Sequence, residues 1–222
     1  MARRPTFLAI EEKPFFKEVN IDFEFYTGFA ITQKHKSIDS LHTAFSEKYP
    51  NLNVLEVSRR SKDSIGMQLS AFNLKLTSEK NGFQYPVECI FQSSKVFENG
   101  GPYIDLMSST PAEAKKDERL KNSGNLKCFK YNDEEFPLEP KTLFYDWIYI
   151  HALLETPDVA KELVKYDAFT DIEFNPLKSI NCQARATAIF VGLSKSGELE
   201  KYLKGIEVFK DLYPENQQMS LF

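Results

Sequence analysis

Nowhere in this 222-residue chain does an apolar run approach the roughly 18 residues that a membrane-spanning helix needs. Met1-Ala2-Arg3-Arg4-Pro5 leads into no apolar stretch of the signal-peptide kind, so neither a span nor a leader is expected, and a cytoplasmic location fits. Cysteine is scarce. Cys89, Cys128 and Cys182 are far apart and odd in number, which supports neither a disulfide framework nor a Cys-x-x-Cys metal site and suits a reducing compartment. His35, His42 and His151 stand singly, without metal-ligand spacing, so no metal and no cofactor is expected. A basic excess is also missing. With 28 Lys and Arg against 32 Asp and Glu, the net charge of −4 argues against a protein that coats nucleic acid non-specifically. Lys34-His35-Lys36 and Arg59-Arg60-Ser61-Lys62 are small positive clusters that read as solvated loops, so any DNA is held locally, at a pocket. Aromatics are abundant, at 14% with 19 Phe, and point to a packed core. The length allows one large domain, or a domain with an extension.

Apolar Val19, Ile21, Phe23 and Phe25 alternate with Asn20, Asp22 and Glu24, the period of a strand with one buried face. Ser37 reads as the cap of a helix with Ile38, Leu41 and Phe45 on its apolar side, ending before Pro50. Val54-Leu55-Glu56-Val57 and Gly66-Met67-Gln68-Leu69-Ser70 are short strand candidates. Helices are expected over about 87–98, 111–121, 141–155, 157–165, 181–193 and 196–211, with Thr156-Pro157 a well-defined start. Asn132 to Pro140, rich in acids and carrying two prolines, reads as a surface loop. The expected class is α+β, mostly helices around a small, largely antiparallel sheet.

The most informative stretch is Tyr85-Pro86-Val87-Glu88-Cys89-Ile90-Phe91-Gln92-Ser93-Ser94-Lys95-Val96-Phe97. Pro86 sits where a helix would begin and no further breaker occurs before Gly100. On a wheel of about 100° per residue, Gln92 lies some 40° and Lys95 about 20° from Glu88. Acid, amide and amine therefore share one face, with Ile90 and Phe97 opposite. Glu88 and Lys95 are two turns apart, about 10 Å along the axis, wide enough to bracket a sugar ring. A solvated polar stripe is the alternative reading.

Glu-x-x-x-Gln-x-x-Lys, preceded by Leu69-Ser70-Ala71-Phe72, resembles the signature of the NADAR (YbiA-like) family, in which a Ser-Asn-Phe element precedes a helix carrying a Glu, a Phe-Gln pair and a Lys. Phe97-Glu98-Asn99-Gly100-Gly101-Pro102-Tyr103, the run Lys115 to Gly124, and Tyr166-Asp167-Ala168-Phe169-Thr170-Asp171 resemble the branch paired with DarT-type toxins. The resemblance runs from about Arg4 to Leu193. It implies a mostly helical NADAR-like core over 51–195, with a strand-helix extension over 1–50 packed on it, a C-terminal helix over 196–213 and a flexible tail over 214–222. DarT-type toxins ADP-ribosylate DNA, and the paired NADAR proteins resemble guanine-specific ADP-ribosyl hydrolases. The resemblance thus implies an antitoxin that frees guanine of ADP-ribose, with ADP-ribosylated DNA as substrate and a DarT-type toxin as functional partner. Single strands are expected to be favoured, because extruding a paired base costs a few kcal/mol.

Hydrolysis of an N-glycosidic bond needs help for a departing amine, stabilisation of a cationic sugar and a positioned water. Glu88 is the first candidate carboxylate; the plainer role is an acid complementing a helix N-terminus. Lys95 admits two roles: a neutral amine that captures the ring-opened sugar carbon as a Schiff base, or a charged grip on a phosphate or ribose hydroxyl. Asp171 and Asn181 match the family's late Asp and Asn, whereas Phe174 replaces its Trp, and Asn175 and Ala184 stand where it has glycines. A turn cap is the alternative for Asp171. Gly100 and Gly101, with Tyr103, form a loop able to cradle a pyrophosphate, or an ordinary helix C-cap. Phe72 and Trp147 are candidates for stacking on a base, with core packing favoured for Trp147. Ser70, Gln92 and Asn181 complete the binding set.

Two other functions compete. Other YbiA-like proteins resemble N-glycosidases acting on ribosylamino-pyrimidine intermediates of riboflavin synthesis, and a non-enzymatic antitoxin would bind the toxin or ADP-ribose. Separately, Gln218-Met219-Ser220-Leu221-Phe222 resembles the peptide by which bacterial replication proteins dock on the DNA sliding clamp, with Gln218, Met219, Leu221 and Phe222 as the contacts. A tail folded back onto its own domain is the alternative.

Overall fold

In the computed structural model, which describes Met1–Tyr213, the chain opens with β1 (Ala2–Ala9) and β2 (Phe16–Phe23), followed by α1 (Ile31–Lys48), β3 (Val54–Glu56) and α2 (Ser64–Gln68). Next come β4 (Lys75–Thr77), β5 (Gln84–Pro86), α3 (Val87–Ser93), β6 (Lys95–Phe97) and a single-turn helix over Ile104–Ser108. The middle continues with α4 (Pro111–Lys116), α5 (Arg119–Asn122), β7 (Leu126–Tyr131), β8 (Glu134–Phe136) and α6 (Leu143–Leu154). The last elements are α7 (Pro157–Leu163), β9 (Ala168–Thr170), α8 (Gln183–Ser196), α9 (Leu199–Tyr202) and α10 (Ile206–Lys210). The clamp-like peptide Gln218–Phe222 lies outside the described residues. The class is α+β with small, mostly antiparallel sheets, as the sequence leads one to expect. Among the described residues no helix is long and apolar enough to cross a membrane. Two compact units are distinguished: one comprises Met1–Ser70 and Thr156–Leu212, the other Ala71–Glu155 with Tyr213.

The first unit is built on a four-stranded sheet in the order β2-β1-β9-β3, in which β3 and β9 run parallel and the other neighbours antiparallel. Alternation does place Ile21 and Phe23 inside, and α1 lays Ile38, Leu41 and Phe45 on them together with Ala168 and Ile172. The helix begins at Ile31, six residues before Ser37, so Ser37 is not its cap. Instead the Ser37 hydroxyl accepts from the Tyr26 amide (2.9 Å) and pins the incoming chain to the side of α1. Residues 64–68 form a helix rather than the expected strand, because Asp63 Oδ1 accepts the Ile65 amide and caps it. The single helix expected over 196–211 is two, α9 and α10, with Gly205 between them. Gly192, in the middle of α8, lies so close to the carbonyls of Ile10 and Phe15 that a methyl group there would collide with both. Gly192→Ala is therefore expected to cost about 1–3 kcal/mol by overpacking, read as a lowered midpoint in urea with an unchanged slope.

In the second unit β6, β7 and β8 form an antiparallel sheet and β4 pairs with β5. The acidic loop expected from Asn132 contains a hairpin turn and the strand β8. Asn132 and Asp133 take positive φ (48° and 66°), a conformation that short polar side chains tolerate. α6 is buried along nearly its whole length. It seats Phe144 against Phe129 (4.7 Å between ring centroids) and Phe136 (4.8 Å), while Phe91 from α3 packs on Phe129 (5.3 Å). Full burial of each such ring is worth roughly 2–3 kcal/mol, so this cluster fixes α3 from behind.

Candidate active site

Helix α3 begins where Pro86 predicts, at Val87, and its N-cap has no side-chain bond. The first two amides are satisfied from upstream: Val87 donates to the Leu74 carbonyl and Glu88 to that of Ala71, both at 2.9 Å. This closure holds the segment carrying Phe72 at the start of the helix. The other end differs from expectation. Ser93 and Ser94 both turn their hydroxyls onto the Ile90 carbonyl (3.0 and 2.8 Å), and the chain leaves the helix after Ser93. The Ser94 carbonyl then accepts from Lys130, and Lys95-Val96-Phe97 joins β7 as a strand. The expected helix over 87–98 is thus only seven residues long, and Lys95 lies at a helix-strand junction.

That junction still joins the three signature residues. Gln92 Nε2 donates to Glu88 Oε1 (2.8 Å), and Lys95 Nζ donates to Gln92 Oε1 (2.7 Å). Glu88 and Gln92 are only 6% and 5% exposed, which excludes the solvated stripe. As a carboxylate, Glu88 only accepts, so the amide N–H faces the acid and the carbonyl faces the amine. Lys95 thus meets a neutral amide oxygen in place of an anion. The Lys95 amine lies 4.9 Å from the centroid of the Phe91 ring. Burial pushes Lys95 down from its usual 10.5 to about 8; Glu88 opposes this and the charge of Lys115 adds to it.

Lys115 was not singled out from the sequence. Its ammonium lies 3.6 Å from Glu88 Oε1 and 5.6 Å from the centroid of the Phe72 ring. It arrives there on α4, which has a full capping box of Thr110 and Glu113 and packs Ala114 against Cys89, the neighbour of Glu88. Arg119, just beyond, forks onto Asp105 and Asp117 and covers the Tyr103 ring at 4.6 Å.

Neither Gly100 nor Gly101 caps a helix, since α3 ends well before them. Phe97 donates to the Gly100 carbonyl (2.7 Å), making a tight turn after β6. Gly101 has φ of +86°, and a Cβ there would strike the Lys95 carbonyl, so this glycine lets the turn fold back on the backbone of Lys95. The amides of Phe97, Glu98, Asn99 and Tyr103 all bond main-chain carbonyls. Tyr103 Oη is hydrogen-bonded to Ser123 Oγ. Trp147, on α6, is half-buried against His151, with ring centroids 4.1 Å apart.

Ser70, Asp171 and Asn181 belong to the first unit. Ser70 is buried just after α2. Asp171 Oδ1 accepts the amides of Glu173 (2.9 Å) and Phe174 (3.1 Å), so it does cap a turn. Burial and the neighbouring charge of Glu56 also raise its carboxyl well above the ordinary range. Among the described residues no hydrogen-bond partner meets the buried Asn181 Oδ1. Among the described residues no group of His, Cys, Asp and Glu is placed to hold a metal ion.

The α+β fold thus carries an acid–amide–amine relay at a helix-strand junction. The chain matches the DarT1-associated NADAR antitoxin family over residues 2–220 and belongs to it. No curated protein matches the chain.

Proposed function

We propose that this protein hydrolyses the bond between ADP-ribose and a guanine base of DNA, and so reverses the modification made by a DarT-type toxin. The observation that carries the reading is the Lys95 amine, lowered to about 8 and held on a neutral amide. About a tenth of such an amine is unprotonated at pH 7, against far less than a hundredth for an ordinary lysine. A ribose joined to an exocyclic amine opens to an iminium. Neutral Lys95 adds to that carbon, the guanine amine leaves with a proton, and water hydrolyses the resulting lysine iminium to free ADP-ribose and the amine. Glu88, one amide away, supplies the negative charge that favours the cationic carbon. Single-stranded substrate is proposed to react faster than duplex.

Incubating ADP-ribosylated guanine oligonucleotide with the protein and following free ADP-ribose tests the reading. Release by wild type, with loss in Lys95→Ala and Glu88→Ala, is expected. Borohydride should trap an adduct on Lys95, its yield rising with pH through about 8 as the amine loses its proton. No release by wild type, or full release by both variants, overturns the proposal. Turnover of a ribosylamino-pyrimidine in place of the oligonucleotide would point to the riboflavin-type substrate. Toxin neutralisation by the folded but inactive variants would point to binding without catalysis.

A further inference from the structure

We infer that Lys115 is a positioning residue for Lys95: its ammonium occupies Glu88 from the solvent side and keeps that carboxylate from drawing a proton onto the Lys95 amine. The inference rests on the proposed role of Lys95. The geometry that carries it is the 3.6 Å pair between Lys115 Nζ and Glu88 Oε1, the oxygen that also accepts from Gln92, with the ammonium set over the Phe72 ring. One carboxylate oxygen thus serves two donors, an amide and an ammonium. The Lys115 side chain is 58% exposed while that of Glu88 is 7% exposed, so the pair brings a solvated charge to a buried one.

Other charged groups lie on the elements packed around Lys95. Asp105 is taken by Arg119, Asp146 of α6 accepts from Tyr213, and on β7 Lys95 pairs with Phe129, whose neighbours are Cys128 and Lys130. The fields acting on the amine are those of Glu88, which favours its proton, and Lys115, which disfavours it. Removing Lys115 strengthens the first and deletes the second, and both changes protonate Lys95.

The titration of Lys95 is measurable without substrate. Competitive labelling of the full-length protein with trace acetic anhydride, read by mass spectrometry of the Lys95 peptide, gives its midpoint. Lys115→Ala should move that midpoint upward from about 8. Each unit of the move removes about tenfold of the neutral amine at pH 7. Lys115→Arg, which keeps the charge, should stay near wild type, and Lys116→Ala should not move it. The rising limb of ADP-ribose release should shift by the same amount in Lys115→Ala, with rescue at alkaline pH, which a merely structural loss would not show. An unchanged Lys95 midpoint in Lys115→Ala overturns the inference. Failure of the hydrolase reading itself would appear separately, as wild type that releases no ADP-ribose and traps no adduct at any pH while the labelling midpoint still depends on Lys115.

Discussion

Gln92→Glu is expected to lower ADP-ribose release at pH 7 by about a few hundred-fold, with activity recovering as the pH is raised. The substitution is nearly isosteric, so the side chain still fits between Glu88 and Lys95. What changes is the partner of the amine: a neutral carbonyl at 2.7 Å becomes an acid. Two carboxyl groups now share one contact, and they either hold a proton between them or carry a second negative charge. In both cases an anion becomes available to Lys95. Its titration, lowered to about 8 in the wild type, is then drawn back toward the 10.5 of an ordinary lysine, and the neutral fraction at pH 7 falls accordingly. A fold probe such as the urea midpoint should change far less than the rate. Wild-type turnover at pH 7 in Gln92→Glu would show that the amide does not insulate the amine.

The relay was legible in the sequence as a set of residue types, and less so as geometry. Pro86 placed the start of α3 correctly because proline acts locally, through its own fixed φ and missing donor. Its end was misplaced because no proline or glycine marks it. Two serines compete for one carbonyl and a strand partner lies more than thirty residues away at Cys128 and Phe129, a pairing no local pattern encodes. Lys115 was missed for a related reason. A helix over 111–121 was expected and α4 does begin at Pro111, but nothing within that segment tells that Ala114 will pack on Cys89 and bring Lys115 to Glu88. In the first unit the strand over Ala2–Ala9 carries no local signal, since Arg3, Arg4 and Pro5 break its alternation. Asp63, just ahead of the 66–70 segment, is the local capping signal for a helix there.

Glu56 is the clearest case of a residue whose importance only tertiary structure reveals, and its removal is expected to have the largest effect on stability. In the sequence it is one acid in a short strand candidate. In the fold it is 2% exposed and ties together three segments. Oε1 accepts from Ser58 Oγ (2.6 Å) and from the Ile172 amide (2.8 Å), while Oε2 accepts from Thr170 Oγ1 (2.6 Å), which is itself 2.9 Å from His42 Nε2 on α1. Glu56→Ala strands these donors in a cavity and should cost about 3–5 kcal/mol in urea unfolding. Glu56→Gln should cost much less, since its new amide can donate to Thr170, whose hydroxyl then turns to His42. The two variants also differ from wild type in their response to pH. Burial raises Glu56, and raises Asp171 well above its usual range with the Glu56 charge contributing. A raised acid holds its proton more tightly folded than unfolded, so the stability it gives is full below its unfolded value and is lost as pH rises through the folded one. Wild type should therefore lose stability relative to Glu56→Gln as pH rises above the ordinary carboxylate range of about 4. His42, lowered to about 4 by burial, acts in the opposite sense within both proteins and largely cancels in the difference. A stability difference that stays constant over that rise would show that Glu56 is held ionised by its three donors, and that Asp171 does not feel its charge.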